Sequence, residues 1–166
     1  VEITLEEAFC GTQRSLRISQ GSASKTIRVK IPAGADNGTK IRIAGQGRSG
    51  EWNGKHGDLL ITVQVRPHKQ FIREHDDLTI RLPTDVYTLL LGGEIHIPML
   101  DGKNLSLNVP ANTAHGKTFR LMEQGMPRIH NPQARGHLYV TVEALLPTQL
   151  SPEERQLFEK LRSMRS

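Results

Sequence analysis

The sequence predicts a mostly β chain built as two similar domains in tandem, with short helices. Two observations carry this. Residues 27–47 read IRVKIPAGADNGTKIRIAGQG and residues 105–125 read LSLNVPANTAHGKTFRLMEQG. Pro32 and Pro110, Gly38 and Gly116, and Gly47 and Gly125 match at one offset of 78. A glycine-led apolar strand follows each copy, GDLLITVQV at 57–65 and GHLYVTVEA at 136–144. A repeat of this length is a structural unit used twice, and two copies are too few for a solenoid. The second observation is alternation of apolar and polar residues, which marks sheet with one face in the core and one in water.

Taken in order, Val1, Ile3 and Leu5 alternate as a first strand, and Glu6–Cys10 is a short helical candidate. Leu16 and Ile18 lie on the next strand, and Gln20 to Ser24 make a turn into Ile27, Val29 and Ile31. Pro32 ends that strand, because proline cannot donate to the ladder. Ile41 and Ile43 follow, then a Gly-rich connection at 45–57, then Leu59, Ile61, Val63 and Val65. The charged segment 66–77, RPHKQFIREHDD, breaks the alternation and marks the domain boundary. It divides the chain into 1–72, 73–148 and a C-terminal helix at 149–166.

The second copy runs through Leu78, Ile80 and Leu82, a helical candidate at Asp85–Leu91, and Ile95 and Ile97. Asp101-Gly102 between alternating runs predicts a tight hairpin. Leu105, Leu107 and Val109, then Phe119 and Leu121, then Leu138, Val140 and Val142 complete it. Ser151, Pro152 and Glu154 form a helix start, with Ser as cap, Pro in the first turn and Glu reaching back. Leu157, Phe158, Leu161 and Met164 then make one apolar stripe. So short a helix is marginal alone in water, so it docks either on its own domain or on another chain.

Composition narrows the function classes. Aromatics are 4% of the chain, so the cores rest on Ile, Leu and Val. A single cysteine, Cys10, allows neither a disulfide framework nor a Cys-rich zinc site, and its apolar surroundings predict a buried thiol. A reducing, cytoplasmic setting fits. No apolar run approaches the roughly 20 residues that span a bilayer, and no secretory signal is present. The chain starts at Val1 without Met, as expected of a piece of a longer protein. Net charge is +5, spread without a basic stripe, whereas nucleic-acid binders concentrate their excess.

Candidate chemistry is sparse. Gly45–Gly50 matches GxGxxG, but the EWNGKHGD that follows offers no helix to hold a pyrophosphate. Seven histidines are scattered with no HExxH and no zinc spacing, so no metal is expected. No Ser lies in a nucleophile elbow. The chain is therefore expected to be no enzyme and to need no cofactor.

A surface remains. If the strand of Ile3 and Leu5 pairs with that of Leu16 and Ile18, the four side chains share a face. That face is either an ordinary core pair or an exposed strip beside a sheet edge, able to take an extended peptide by strand addition. Arg14, Arg17 and Lys25 flank the same hairpin and would favour an acidic peptide end.

Several stretches together resemble one family. VEITLEEAFCGTQRSLRI, IRVKIPAGADNGTKIRIAGQG, GDLLITVQVRPHKQFIREHDDL, LLLGGEIHIPMLDGK, LSLNVPANTAHGKTFRLMEQGMP and GHLYVTVEALLPTQLSPEE are similar to the C-terminal substrate-binding region of DnaJ-type (J-domain) co-chaperones, in order and over essentially the whole chain. The resemblance implies two β-sandwich domains followed by a dimerisation helix, here with Leu157, Phe158, Leu161 and Met164. It implies that unfolded, hydrophobic-rich client polypeptides are held and passed to a DnaK-type chaperone. By position, the client groove would be Ile3, Leu5, Leu16 and Ile18, with Phe71 closing one end. The partner's acidic C-terminal tail would meet Arg14, Arg17 and Lys25. The J domain with its HPD motif is absent, so stimulation of the partner's ATPase is not expected. Only SQGSASK separates Ile18 from Thr26, which places the chain in the zinc-free branch. Some bacterial members of that branch bind curved DNA, which is the alternative function.

Overall fold

The repeat folds as the same unit twice, in a computed structural model that describes residues 1–49, 54 and 56–165. The first copy comprises β1 (Glu2–Ile3), α1 (Leu5–Cys10), β2 (Thr12–Gln20), β3 (Ala23–Ile31), β4 (Lys40–Ile43), β5 (Leu59–Thr62) and β6 (Gln64–Val65). The second comprises β7 (Phe71–Glu74), β8 (Asp77–Asp85), α2 (Val86–Leu91), β9 (Gly93–Pro98), β10 (Asn104–Val109), β11 (Thr118–Leu121), β12 (Pro127–Arg128), β13 (Asn131–Arg135) and β14 (Leu138–Leu145). The helix α3 (Pro152–Ser163) ends the chain.

Both units share one topology. The unit's entering strand runs parallel beside its last strand, β1 with β6 and β8 with β14. In the second unit that last strand also pairs antiparallel with β11, and in the first the strand just before it, β5, pairs antiparallel with β4. A hairpin, β2–β3 or β9–β10, forms the second layer. Its apolar face meets the sheet: Ile27, Val29 and Ile31 join Ile3, Ile61 and Val63 in one cluster. Alternation thus sorts each strand between core and water, as period-2 geometry requires.

The matched glycines explain why the repeat is legible. Gly38 and Gly116 adopt φ of +85° and +84°, a region that disfavours side chains. Each donates its N–H across the turn, Gly38 to Val63 O at 2.9 Å and Gly116 to Val142 O at 2.8 Å. Gly47 and Gly125 donate to Gly57 O and Gly136 O, at 2.6 and 2.8 Å.

Both expected short helices form. Thr4 caps α1 with a reciprocal box to Glu7, and Asp85 caps α2 through Thr88 N–H. Such caps each contribute about 1 kcal/mol. The hairpin turns fall where expected: Gly21 and Ser22 close β2–β3, and Asp101-Gly102 lies between β9 and β10. Strands β3 and β10 stop at Ile31 and Val109, one residue before Pro32 and Pro110.

Three expectations change. The strand of Ile3 and Leu5 does not pair with β2. The Thr4 cap turns the chain into a helix beginning at Leu5, and β1 pairs with β6 instead. Cys10 is exposed rather than buried, because α1 buries Leu5, Ala8 and Phe9 and Cys10 falls off that stripe. Residues 71–74 of the charged segment are strand, not linker. Phe71 pairs with Ile80 and Ile72 with Thr79, so a division after residue 72 passes through β7.

The two units are joined by polar clamps. The Arg73 guanidinium donates to Ala35 O at 2.7 Å, Gly34 O at 3.0 Å and His75 O at 2.7 Å. The β12–β13 hairpin lies against the same loop: a Cβ on Gly34 would sit 2.5 Å from Pro127 O. Arg135 stacks over the Phe9 ring at 4.8 Å. The core follows suit, since Ile3, Val29, Phe71, Ile80 and Leu138 belong to one cluster spanning both copies.

Candidate functional site

The β2–β3 hairpin is an open element of the first copy. It forms a sheet of two strands only, so both of its edges carry unpaired backbone groups among the described residues. Along β2, Thr12, Arg14, Leu16 and Ile18 are half-buried, while Gln13, Ser15, Arg17 and Ser19 are exposed. Leu16 and Ile18 therefore pack against the core yet keep accessible surface.

The duplication supplies an internal comparison. In register, Leu16 faces Ile27 just as Ile97 faces Leu105 in the second copy. Ile97 is 0% exposed, whereas Leu16 is half-buried. The same strand position is sealed in one copy and open in the other.

The remaining furrow residues lie deeper. Ile3 is 0% exposed, and Leu5 and Phe71 are 3% exposed each. They are core residues, drawn in by β1–β6 pairing, by α1 and by β7–β8 pairing. Leu5 and Phe71 do floor a depression of about 270 Å³, walled by Val65 and Pro67 and rimmed by Asp36, Asn37 and Arg66. A second, of about 440 Å³, lies between the start of α1 and residues 66–70. Leu16 and Ile18 line neither depression. The five furrow residues thus form a buried floor and a separate half-open strip, not one trough.

His68 divides the two depressions. Its Nε2 lies 2.7 Å from Glu6 Oε1, and its Nδ1 accepts N–H from Gln70 at 3.0 Å and Phe71 at 3.1 Å. With Nδ1 accepting, the proton sits on Nε2 and faces Glu6. This contact was not apparent in the sequence, where His68 looked like one scattered histidine.

The three predicted cations do not form one cluster. Arg14 lies on the inner face and pairs with both oxygens of Glu7 at 2.7 Å. Its Nε is buried without a partner among the described residues. Glu7 is held below the usual carboxylate range, first by the Thr4 N–H and then by Arg14, with burial opposing. Lys25, opposite Ile18, shares the inner face and is exposed. Arg17 points to the other face, where it donates to Ser24 Oγ at 3.0 Å. Period-2 geometry separates position 17 from position 14.

On α3, Leu157, Leu161 and Met164 are exposed, and Phe158 is half-buried with its ring 6.4 Å from Tyr87. With Tyr87 they line an apolar hollow of about 400 Å³. The helix thus leans on α2 through Phe158 while most of its apolar stripe stays open.

Among the described residues no group of three or more His, Cys, Asp or Glu is placed to hold a metal ion. No helix among them is long and apolar enough to cross a membrane. Of the Gly-rich connection at 45–57, including the GxGxxG match, residues 50–53 and 55 lie outside the described residues.

The family model described as the DnaJ C terminal domain matches residues 1–147. Chaperone protein DnaJ of Bartonella quintana is 39% identical over 141 residues, covering 85% of this chain and 37% of that protein. The DnaJ of Halalkalibacterium halodurans is 39% identical over 157 residues, covering 95% of this chain and 40% of the relative. The DnaJ of Burkholderia mallei is 43% identical over 137 residues, covering 82% of this chain and 36% of the relative. The chain spans about two fifths of the length of these relatives.

Proposed function

This chain belongs to the DnaJ C-terminal domain family, and on that premise we propose that it is a non-enzymatic, cytoplasmic client-holding module of a co-chaperone. Its first copy takes an extended, hydrophobic-rich polypeptide segment along β2. The observation that carries this is the half-open Leu16 and Ile18 on a two-stranded hairpin; the second copy buries Ile97, the equivalent of Leu16, and leaves Met99, the equivalent of Ile18, half-buried. An incoming strand gains main-chain hydrogen bonds from the open edge and buries apolar side chains on Leu16 and Ile18. Leu5 and Phe71 belong to the core rather than touching the client.

Handing over to a DnaK-type chaperone fits the inner-face cations. Lys25 is free to meet a carboxylate, while Arg14 must first exchange Glu7 for the partner's tail. Dimerisation through Leu157, Leu161 and Met164 would cover the open stripe of α3 and put two client strips in one particle. Two linked weak sites gain avidity of about 10²–10⁴ where both can engage.

The test replaces Leu16 and Ile18 by Ser. Suppression of aggregation of a denatured client should be lost while far-UV circular dichroism and melting temperature stay close to the parent. Full protection by a folded double variant would remove β2 from the reading. Phe71→Asp is unsuitable, since Phe71 is core and its loss would unfold the sheet.

A further inference from the structure

The duplication places a complete ion pair in the first copy and only its cation in the second. Arg42 Nε donates to Asp58 Oδ2 at 2.5 Å, and Arg42 Nη2 meets the same oxygen. The other oxygen, Asp58 Oδ1, accepts the Gly45 N–H at 3.1 Å. One carboxylate thus closes the turn after β4 and neutralises the arginine. It is held below its usual range, first by the Gly45 N–H and then by Arg42, with burial opposing. The equivalents of Arg42, Gly45 and Asp58 are Arg120, Glu123 and His137. Register sets Arg42 opposite Leu60 and Arg120 opposite Tyr139, and Asp58 and His137 directly precede the partner strands at Leu59 and Leu138.

His137 replaces only one of the two functions of Asp58. Its Nδ1 faces the Glu123 N–H at 3.2 Å, and its Nε2 lies 3.4 Å from Arg120 Nη2. Both facing groups can only donate, and a neutral imidazole has a single acceptor nitrogen. With Nδ1 accepting at the shorter contact, Nε2 carries the proton and faces the guanidinium. Two donors therefore converge with no acceptor between them. Arg120 is exposed and forms no ion pair among the described residues. Asp77 is engaged elsewhere, accepting the His137 main-chain N–H at 2.7 Å.

We propose that Arg120 and His137 form a binding site for a small free oxyanion, a carboxylate or a phosphate, one oxygen of which takes the place held by Asp58 Oδ2 in the first copy. Donors 3.4 Å apart can share one acceptor oxygen, since a common point lies about 2.9 Å from each. The bond from the guanidinium is charge-assisted and so among the stronger kinds. Bound there, the anion ties Arg120 on β11 to the start of β14, as Asp58 ties the start of β5 to Arg42 on β4. The first copy has no such site, because its own carboxylate fills the position. The client strip lies on β2 of the first copy, so the two sites share no residue.

The full chain is titrated with sodium phosphate and, separately, with sodium acetate, each against sodium chloride at matched ionic strength and one fixed pH. Histidine-ring and arginine side-chain resonances are followed by NMR. Saturable shifts should appear at His137 and Arg120, and the tighter of the two anions identifies the class bound. Arg120→Gln should weaken binding about tenfold, the effect of losing one charge-assisted hydrogen bond. His137→Asp restores the pairing of the first copy and should abolish binding. Arg42→Gln, in the first copy, should bind as the parent does, and so should the Leu16→Ser/Ile18→Ser variant. The proposal is overturned if neither anion gives a saturable shift that chloride lacks. It also fails if His137→Asp or Arg120→Gln, each checked for folding by circular dichroism, binds as tightly as the parent.

Discussion

Arg73→Met is the sharpest test of how the two copies are held together. The Arg73 side chain is 8% exposed and its guanidinium serves three carbonyls, Gly34, Ala35 and His75, with Asp36 at 3.7 Å. Burial pulls its pKa down, while Asp36 and Asp76 oppose that shift. Hydrogen bonds from a charged donor contribute about 1.5–3 kcal/mol each, so three of them sum to roughly 5–9 kcal/mol gross. The cost of burying the cation, several kcal/mol, offsets much of this. Met keeps the apolar stem and removes the buried charge, so the net loss is about 3 kcal/mol. Arg73→Lys should recover little of it, because one compact ammonium cannot span three carbonyls on two loops. Urea unfolding followed by circular dichroism, with linear extrapolation, measures the loss. A change below about 1 kcal/mol in Arg73→Met would refute the clamp, and full recovery by Lys would refute the role of the planar fork.

Further expectations follow from local geometry. Gly34→Ala places a methyl against Pro127 O at a φ of +92°, so it should lower the melting temperature and loosen the junction, seen as faster amide exchange in β12 and β13. Thr4→Ala removes the α1 capping box and should cost about 1 kcal/mol in the same urea assay. Glu7 titrates below its ordinary value of 4.5 in the folded chain. Its contribution is thus present above that value and lost as pH falls through the lower folded pKa. The stability gap between the parent and Glu7→Gln should shrink from pH 7 to pH 3, and a gap that widens on acidification would contradict the sign. Truncation after Leu150 should convert a dimer to a monomer in sedimentation velocity, whereas an unchanged mass would mean that α3 serves only its own chain.

Some of the candidate site was legible before any coordinates. Leu16 and Ile18 read as alternating strand positions, and the structure keeps them together on one face of β2. Ile3 and Leu5 misled, because the alternation of Val1, Ile3 and Leu5 hides a helix cap at Thr4 that ends the strand after Ile3. Phe71 read, beside Ile72, as a large apolar residue in a charged boundary segment that would close one end of the groove, whereas its pairing with Ile80 and its burial make it core. Arg14, Arg17 and Lys25 look like one basic group along the chain, but period-2 geometry sends Arg17 to the opposite face.

What the sequence determined by itself is whatever depends on neighbours along the chain. Two copies, their hairpin turns at 20–24 and at Asp101-Gly102, and most of their strands all follow from backbone preferences and period. What only the tertiary structure decided depends on residues far apart: the parallel pairing of β1 with β6, the Arg73 clamp onto Gly34 and Ala35, and the exposure of Leu16 where Ile97 is sealed. Burial and register arise from contacts across dozens of residues, and no local pattern encodes which of two equivalent strands will be left uncovered.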